Sequence, residues 1–509
     1  MTRVAIAGVA AFLACVLASS AAGAAPVAVL VVPASEVWAQ ADRGAVGLFV
    51  PGAGASATRR QALRSLTTGR SVSGLAGEEE SEAIIRIARR VGPTTIYVAL
   101  PPPGRHHNVR RYPVAVVGKN YRGILHSRST RLPGLVSIAD IAPTALAFER
   151  GRQPVLGFRA GSVGTLRELD RRLTRAHDSR TAATAGLAAL LASLTAAALA
   201  TRARLFGRAA LLAPPAAITI ALALSAAAIW SPLAVGSAIA LGGTAIAVAA
   251  GRRDESLPPL VTLFLAAFLI VLAAFPETNA LAAIGPHPDG GVRFFGVTNQ
   301  VETLLLAPVL AAAATSRRWL LAVGLLALVA LGWSRAGADG GGVLVLLAGL
   351  GTLAVRAGVA RLSTVRTALA GAGALGIGLL LVAIDAALGG SSHVTAAVGT
   401  GPSGLAEDLR RRLDVSWAGA TASWHAGLLC ISALAILALI ALRARNRRVT
   451  TAFLIALAVS LVVNDSPVDE LAWGALGAAA LLAWETAPNA RRFSSSVPRA
   501  SPAPSLPSE

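Results

Sequence analysis

From residue 181 onward the chain is written in apolar blocks separated by short polar breaks. The blocks fall at about 181–201, 209–230, 232–250, 257–275, 297–315, 319–334, 338–355, 367–388, 418–442, 449–464 and 468–487. Most are near the length that crosses a hydrocarbon layer as a helix, so the pattern predicts an all-α polytopic membrane domain of about eleven helices. Residues 26–180 read differently. Short β-branched runs at Val27–Val32, Val46–Val50, Thr94–Leu100 and Val114–Val117 alternate with helical spacing at Arg59–Leu66 and Glu79–Val91. That alternation predicts an α/β domain with a largely parallel sheet. A basic helix over about Ser162–His177, carrying Arg167, Arg171, Arg172 and Arg175, closes this region as a solvated juxtamembrane element.

The two ends of the chain carry their own patterns. Residues 1–25 begin with Arg3, continue through an apolar run from Val4 to Leu17, and end on the small residues Ala22, Gly23 and Ala24. This is the form of a secretory signal peptide, with cleavage expected after Ala24 and an uncleaved anchor as the alternative. Either outcome places residue 26 outside the cell. The tail, residues 488–509, is rich in Ser and Pro and is expected to be disordered.

Composition agrees with a membrane protein: 54% of the 509 residues are apolar, 14% are charged and the mean hydropathy is +0.64. The formal net charge of +20 invites a nucleic-acid partner, but the arginines stand mainly beside apolar blocks, where they set orientation. With residues 26–180 outside, the inside loops hold sixteen arginines, from Arg202 to Arg492, and the outside loops between spans hold five, Arg293, Arg335 and Arg410–Arg412. The expected topology is therefore a multi-pass cell-membrane protein with residues 26–180 extracytoplasmic and the C-terminus cytoplasmic. Cys15 and Cys430 lie far apart in apolar stretches and predict neither a disulfide framework nor a metal site.

Gly44–Leu48, Thr130–Val136 and Asp140–Thr144 resemble segments of the alkaline phosphatase-like ectodomains carried by uncharacterised polytopic membrane proteins of Gram-positive bacteria. The resemblance covers about residues 40–150, and its most specific part is Pro133-Gly134-Leu135-Val136 followed by Asp140-Ile141-Ala142-Pro143-Thr144. It implies an alkaline phosphatase-like fold. Active members of that superfamily clamp a phosphoryl or sulfuryl group between two metal ions held by Asp and His. Here Val32-Pro33-Ala34-Ser35 follows the first strand where a metal-binding Asp is expected, and no Asp-His-Gly run occurs. Ser56 or Thr58 stands near the nucleophile position with no partner to activate it. The fold is therefore carried over and the activity is not: the domain is read as a degenerate pseudoenzyme. His106-His107 lacks a third ligand and reads as a solvated loop, and Asp140 reads equally as a helix starter.

In the membrane domain the polar residues gather at the outer helix ends. Glu277, His287, Asp289, Arg293, Asn299 and Glu302 come first, then Arg335 and Asp339 in Gly337–Gly342. Asp385, His393, Asp408, Asp414 and His425 follow, and last come Asn464, Asp465, Asp469 and Glu470. Glu302 stands about 7 Å inside its block, where a carboxylate needs a partner or water. Arg293 or Arg335 would supply the positive charge, and Asn299 shares a helix face with Glu302. The glycines around Asp339 permit either close helix packing or amides presented to an anion. The candidate polar pocket is thus Arg293, Asn299, Glu302, Arg335, Asp339, Asn464 and Asp465. Segments 293–299, 337–339 and 464–466 also resemble elements of the same membrane family, with Gln300 and Asp339 departing from its commoner pattern. His425, about two turns inside its block, fits either a proton carrier or a core histidine; Trp484 and Glu485 read as anchors at the inner end.

Three functions follow. The first is a carrier or flippase-like protein for an envelope component, with the acids lining an outward-open cavity. The second is an outer-face enzyme on lipid-linked glycans, with a carboxylate as base and Arg holding a diphosphate. The third is a non-catalytic receptor or scaffold. No catalytic residue is assigned, and no phosphate loop or dinucleotide fingerprint is present, so no cofactor and no nucleic-acid partner are expected. The expected partners are the lipid bilayer and an envelope glycan or lipid-linked substrate.

Overall fold

A computed structural model describes residues 27–72, 82–118, 120–291, 293–356, 401–444 and 446–488. The signal-like segment, Asp385, His393, the block at 367–388 and the chain from residue 489 onward lie outside the described residues. The chain divides into two compact units, with the main boundary between Asp170 and Arg171 and Asp289–Val292 returning to the first unit.

The first unit is α/β. Its main sheet contains β1 (Val27–Val31), β4 (Thr94–Val98), β6 (Tyr112–Val117), β2 (Ala45–Val50), β7 (Gly123–Ser127) and β9 (Leu156–Arg159) in that spatial order, with β8 (Leu135–Ser137) also on β2. A separate ribbon pairs β3 (Ser56–Thr58) with β5 (Arg105–His107). The sheet is mixed rather than largely parallel: β1–β4, β2–β7 and β2–β8 are parallel, while β2–β6, β4–β6 and β7–β9 are antiparallel. The reason lies in the connections. A parallel neighbour needs a helix-length crossover, and the chain from β4 to β6 forms β5 and folds back instead. β2 is buried at every position, as its unbroken apolar run requires of a central strand. Phe49, Ile96, Val114, Val116 and Leu125 form the core with Leu66 of α1 (Arg59–Thr68) and Ile141 of α2 (Ile141–Glu149).

The helix expected over Glu79–Val91 is absent from residues 82–91. Their amides are used elsewhere: Ile84 and Ile85 donate to Thr67 O and Ala88 donates to Val29 O, which draws the segment along α1 and β1 and buries Ile85.

The second unit is helical. α3 (Val163–Thr201) runs without the break expected near residue 180. It is followed by α4 (Arg204–Ala226), α5 (Pro232–Gly251) and α6 (Leu257–Ala274). Next come α7 (Asn299–Ala313), α8 (Arg317–Gly332), α9 (Gly340–Arg356), α10 (Gly401–Thr421), α11 (Trp424–Arg443), α12 (Arg448–Val463) and α13 (Pro467–Thr486). Among them α3, α4, α5, α6 and α11 are long and apolar enough to cross a membrane. α7, α9 and α12 are apolar but shorter. α7 is buried at every position from Val301 to Ala313, as expected of a helix that is apolar on all sides. Small residues bring α3 and α5 together: a Cβ on Gly186 would stand 2.5 Å from Gly236 O.

Charged residues at the helix ends make specific contacts. Glu485 caps α12 from α13. Its carboxylate accepts from Val449 N at 3.1 Å, Thr450 N at 2.9 Å and Thr450 Oγ1 at 2.6 Å, while Arg447 donates to Glu485 O. A negative group there meets the free amides of the first turn. Glu485→Ala should therefore cost about 2 kcal/mol, read as a lower thermal midpoint of the detergent-solubilised chain.

The buried Arg208, in the first turns of α4, donates to Gly251 O at 2.8 Å and pairs with Asp254 in the turn after α5. This guanidinium holds the Asp254 carboxyl below its ordinary value. The folded value is depressed, so the contribution is present at neutral pH and lost as pH falls through it. Acid unfolding below about pH 4 should be shallower in Asp254→Asn than in the native chain.

Candidate functional site

Three loops and five helices of the second unit build the site. The loop before α7 is fixed by Asn279, which donates to Gly296 O at 2.8 Å, and by Val297 N, which donates to Gly337 O at 2.9 Å. Gly296 (φ +87°) lies against Gly337 O, where a side chain has no room. The loop before α9 is held in turn by Asp339 N on Leu331 O at 2.9 Å and Ala338 N on Trp333 O at 3.1 Å. These bonds place Arg293 beside Asp339, with Nη2 to Oδ1 at 3.6 Å, and Arg293 also donates to Val297 O.

Asp339 caps α9 by accepting from Gly342 N at 3.3 Å. The Gly342 amide in the first turn of α9 is thus met by the protein's own carboxylate. The glycine run does not serve helix packing alone. A Cβ on Gly342 would lie 2.8 Å from Asp339 Oδ2 and 3.2 Å from Glu302 Cδ, and one on Gly341 would lie 2.5 Å from Asn464 Oδ1. The missing side chains make the space in which Asp339, Glu302 and Asn464 meet.

Asn464, the residue that ends α12, is the hub. Its Nδ2 donates to Glu302 Oε2 and to Ser460 Oγ, both at 3.0 Å, and Ser460 Oγ donates to Glu470 Oε2 at 3.0 Å. Asn299 joins the same group, donating to Asp465 Oδ1 at 3.1 Å and Ser466 Oγ at 3.2 Å. Ser416 of α10 donates to Asn464 O and Arg412 to Val463 O. Glu302, Asp339 and Glu470 are 2%, 3% and 0% exposed. Among the described residues, Glu302 Oε1, Asp339 Oδ2 and Glu470 Oε1 have no hydrogen-bond partner. Glu302 also heads a small cavity with room for barely one water, otherwise lined by apolar groups such as Leu305, Leu331 and Leu346.

Of the seven residues expected to form a polar pocket, Arg293, Asn299, Glu302, Asp339, Asn464 and Asp465 come together. Arg335 does not; it is exposed in its turn, and Arg293 supplies the positive charge. Glu470 and Ser460 were missed as members. Glu470 lies on the same buried face of α13 as Trp473, Gly474, Ala478 and Leu481, a helical spacing visible in the sequence. His425 is not two turns inside its helix: α10 ends at Thr421, Ser423 caps α11, and His425 is the second residue of α11, exposed and with its ring tilted against that of Trp424.

In the first unit the residues set aside as weak candidates have structural partners. Thr58 caps α1 in a box with Gln61. His106 lies on β5 rather than in a loop, its Nε2 against Pro102 O at 3.1 Å. Asp140 accepts from Ser127 Oγ at 2.6 Å, from Ser129 Oγ and from Ser137 N at 3.3 Å, tying the end of β7 to the start of α2. Burial pushes the Asp140 carboxyl up, against the pull of those three donors. Among the described residues, no three His, Cys, Asp or Glu side chains are placed to hold a metal ion.

Comparison with known protein families, with characterised proteins and with solved structures finds no match to this chain.

Proposed function

We propose that the chain is a carrier of an envelope component, flippase-like, working from the acid group at the ends of α7, α9 and α13. The reading takes the membrane domain as about eleven helices, with residues 26–180 outside as a degenerate phosphatase-like domain and the C-terminus inside. One observation supports it above the others: three carboxyl groups are turned into an apolar helical unit, each with one oxygen that has no hydrogen-bond partner among the described residues. A network that only held helices together would be expected to satisfy those oxygens, because an unmet buried acceptor is costly. A site that takes up and releases a small positive species needs them free. The outer-face enzyme is the second reading, favoured by the approach of Arg293 to Asp339 beside Glu302. Against it, one guanidinium is a sparse clamp for a diphosphate.

Lipid-linked intermediates in a depletion strain separate the readings. A carrier defect should leave complete precursors stranded on the cytoplasmic leaflet, inaccessible to an impermeant label. Incompletely elaborated glycans on the outer leaflet would support the enzyme instead, and an unchanged profile would argue for a receptor or scaffold.

A further inference from the structure

We propose that Glu302 and Asp339 together bind one exchangeable proton across the gap left by Gly342. Both carboxyl groups close on the position of the absent Gly342 Cβ, Asp339 Oδ2 at 2.8 Å and Glu302 Cδ at 3.2 Å from it. The oxygens without partners, Glu302 Oε1 and Asp339 Oδ2, belong to these two groups, while the other oxygen of each is already in use. Glu302 Oε2 accepts from Asn464, and Asp339 Oδ1 accepts from Gly342 N and faces Arg293.

The surrounding charges set how many positive species the pair requires. Arg293 is the guanidinium placed against Asp339, and it also donates to Val297 O. From the other packed elements come Glu470 of α13 and Asp465 of the loop after α12, both acidic. Arg412 of α10 turns to Val463 O, and the cavity wall from α8 and α9 is apolar. Among the described residues one arginine faces this pair of buried carboxylates, which leaves at least one negative charge in an apolar surround, where an unneutralised charge is costly. A proton on Glu302 removes the excess and gives Oε1 a hydrogen to donate toward Asp339. A sodium-sized ion would need several oxygens around it, and the cavity admits barely one water. The proton enters from water and returns to it. On the carrier reading it is the coupling ion; its presence in the site stands on the geometry alone.

Infrared difference spectroscopy of the full chain in detergent, as a function of pH and with exchange into D2O, tests the proton directly and needs no transported substrate. The expected result is a protonated-carboxyl C=O band that shifts on deuteration, is lost in Glu302→Gln and is moved in frequency, not lost, in Asp339→Asn. Gln keeps the shape of Glu302 and can still accept from Asn464. Should that variant not fold, the Asp339→Asn shift decides. A band unchanged in both variants overturns the proposal, as does a spectrum that answers to sodium at fixed pH and not to pH. The carrier reading fails separately, on an unchanged precursor profile.

Discussion

Asn464→Leu should be the most damaging single substitution in the helical unit. Leucine matches asparagine in branching and heavy-atom count but donates nothing, so Glu302 Oε2 loses its one donor and Ser460 loses the amide that orients it toward Glu470. Each buried acceptor left unmet costs about 1–3 kcal/mol, more when it is charged. The branched side chain must also fit against Gly341, which already stands within 2.5 Å, at its missing Cβ, of Asn464 Oδ1. The expected outcome is a loss of about 3 kcal/mol or more, seen as poor yield of monodisperse protein and a lower midpoint in detergent. Asn464→Asp separates the charge effect from the geometric one. It keeps the shape, adds a fourth buried acid and should be no better tolerated. A wild-type midpoint for either variant would show that the hub carries no load.

Gly337→Ala should have the second largest effect, for a backbone reason. The added methyl would be driven into the carbonyl oxygens of Ala330 and Leu331 and to 2.6 Å from Leu331 Cα, atoms that belong to the last turn of α8 and do not swing aside. The turn from Trp333 to Asp339 must then shift, and with it Gly337 O, which receives Val297 N. Because that bond ties the Arg293 loop to the Asp339 loop, the substitution should part Arg293 from Asp339 without touching either. The readout is double: a lower midpoint by about 2 kcal/mol or more, and lipid-linked precursors as in the depletion strain. Gly351→Ala is the control, since no atom lies within 4 Å of its would-be Cβ.

The sequence carried the site further than it carried the sheet. Residues 293–299, 337–339 and 464–466 stood out because polar and glycine residues interrupt apolar blocks, and in a low-dielectric surround such residues seek one another. Hence Arg293, Asp339, Asn299, Asp465, Glu302 and Asn464 were legible as a group, although the donor to each acceptor was not. Arg335 looked equivalent to Arg293 in composition and spacing; only the turn at Ala338 (φ +53°) and the bonds around it decide which arginine faces inward. Strand positions could be read from β-branched runs, but strand direction could not. Whether β6 returns beside β4 or crosses over depends on what the intervening residues do, and Arg105–His107 carries little β signal of its own. His425 was misplaced because the apolar run across Ala418–Leu442 hides a helix end that Ser423 marks through its hydrogen bond to Ala426 N.

α12 is clasped to α13 at both extremities, by Glu485 over its first turn and by Ser460 reaching Glu470 near its last. Two helices pinned top and bottom travel as a single strut. A displacement of either helix is then passed to the other at both of its ends.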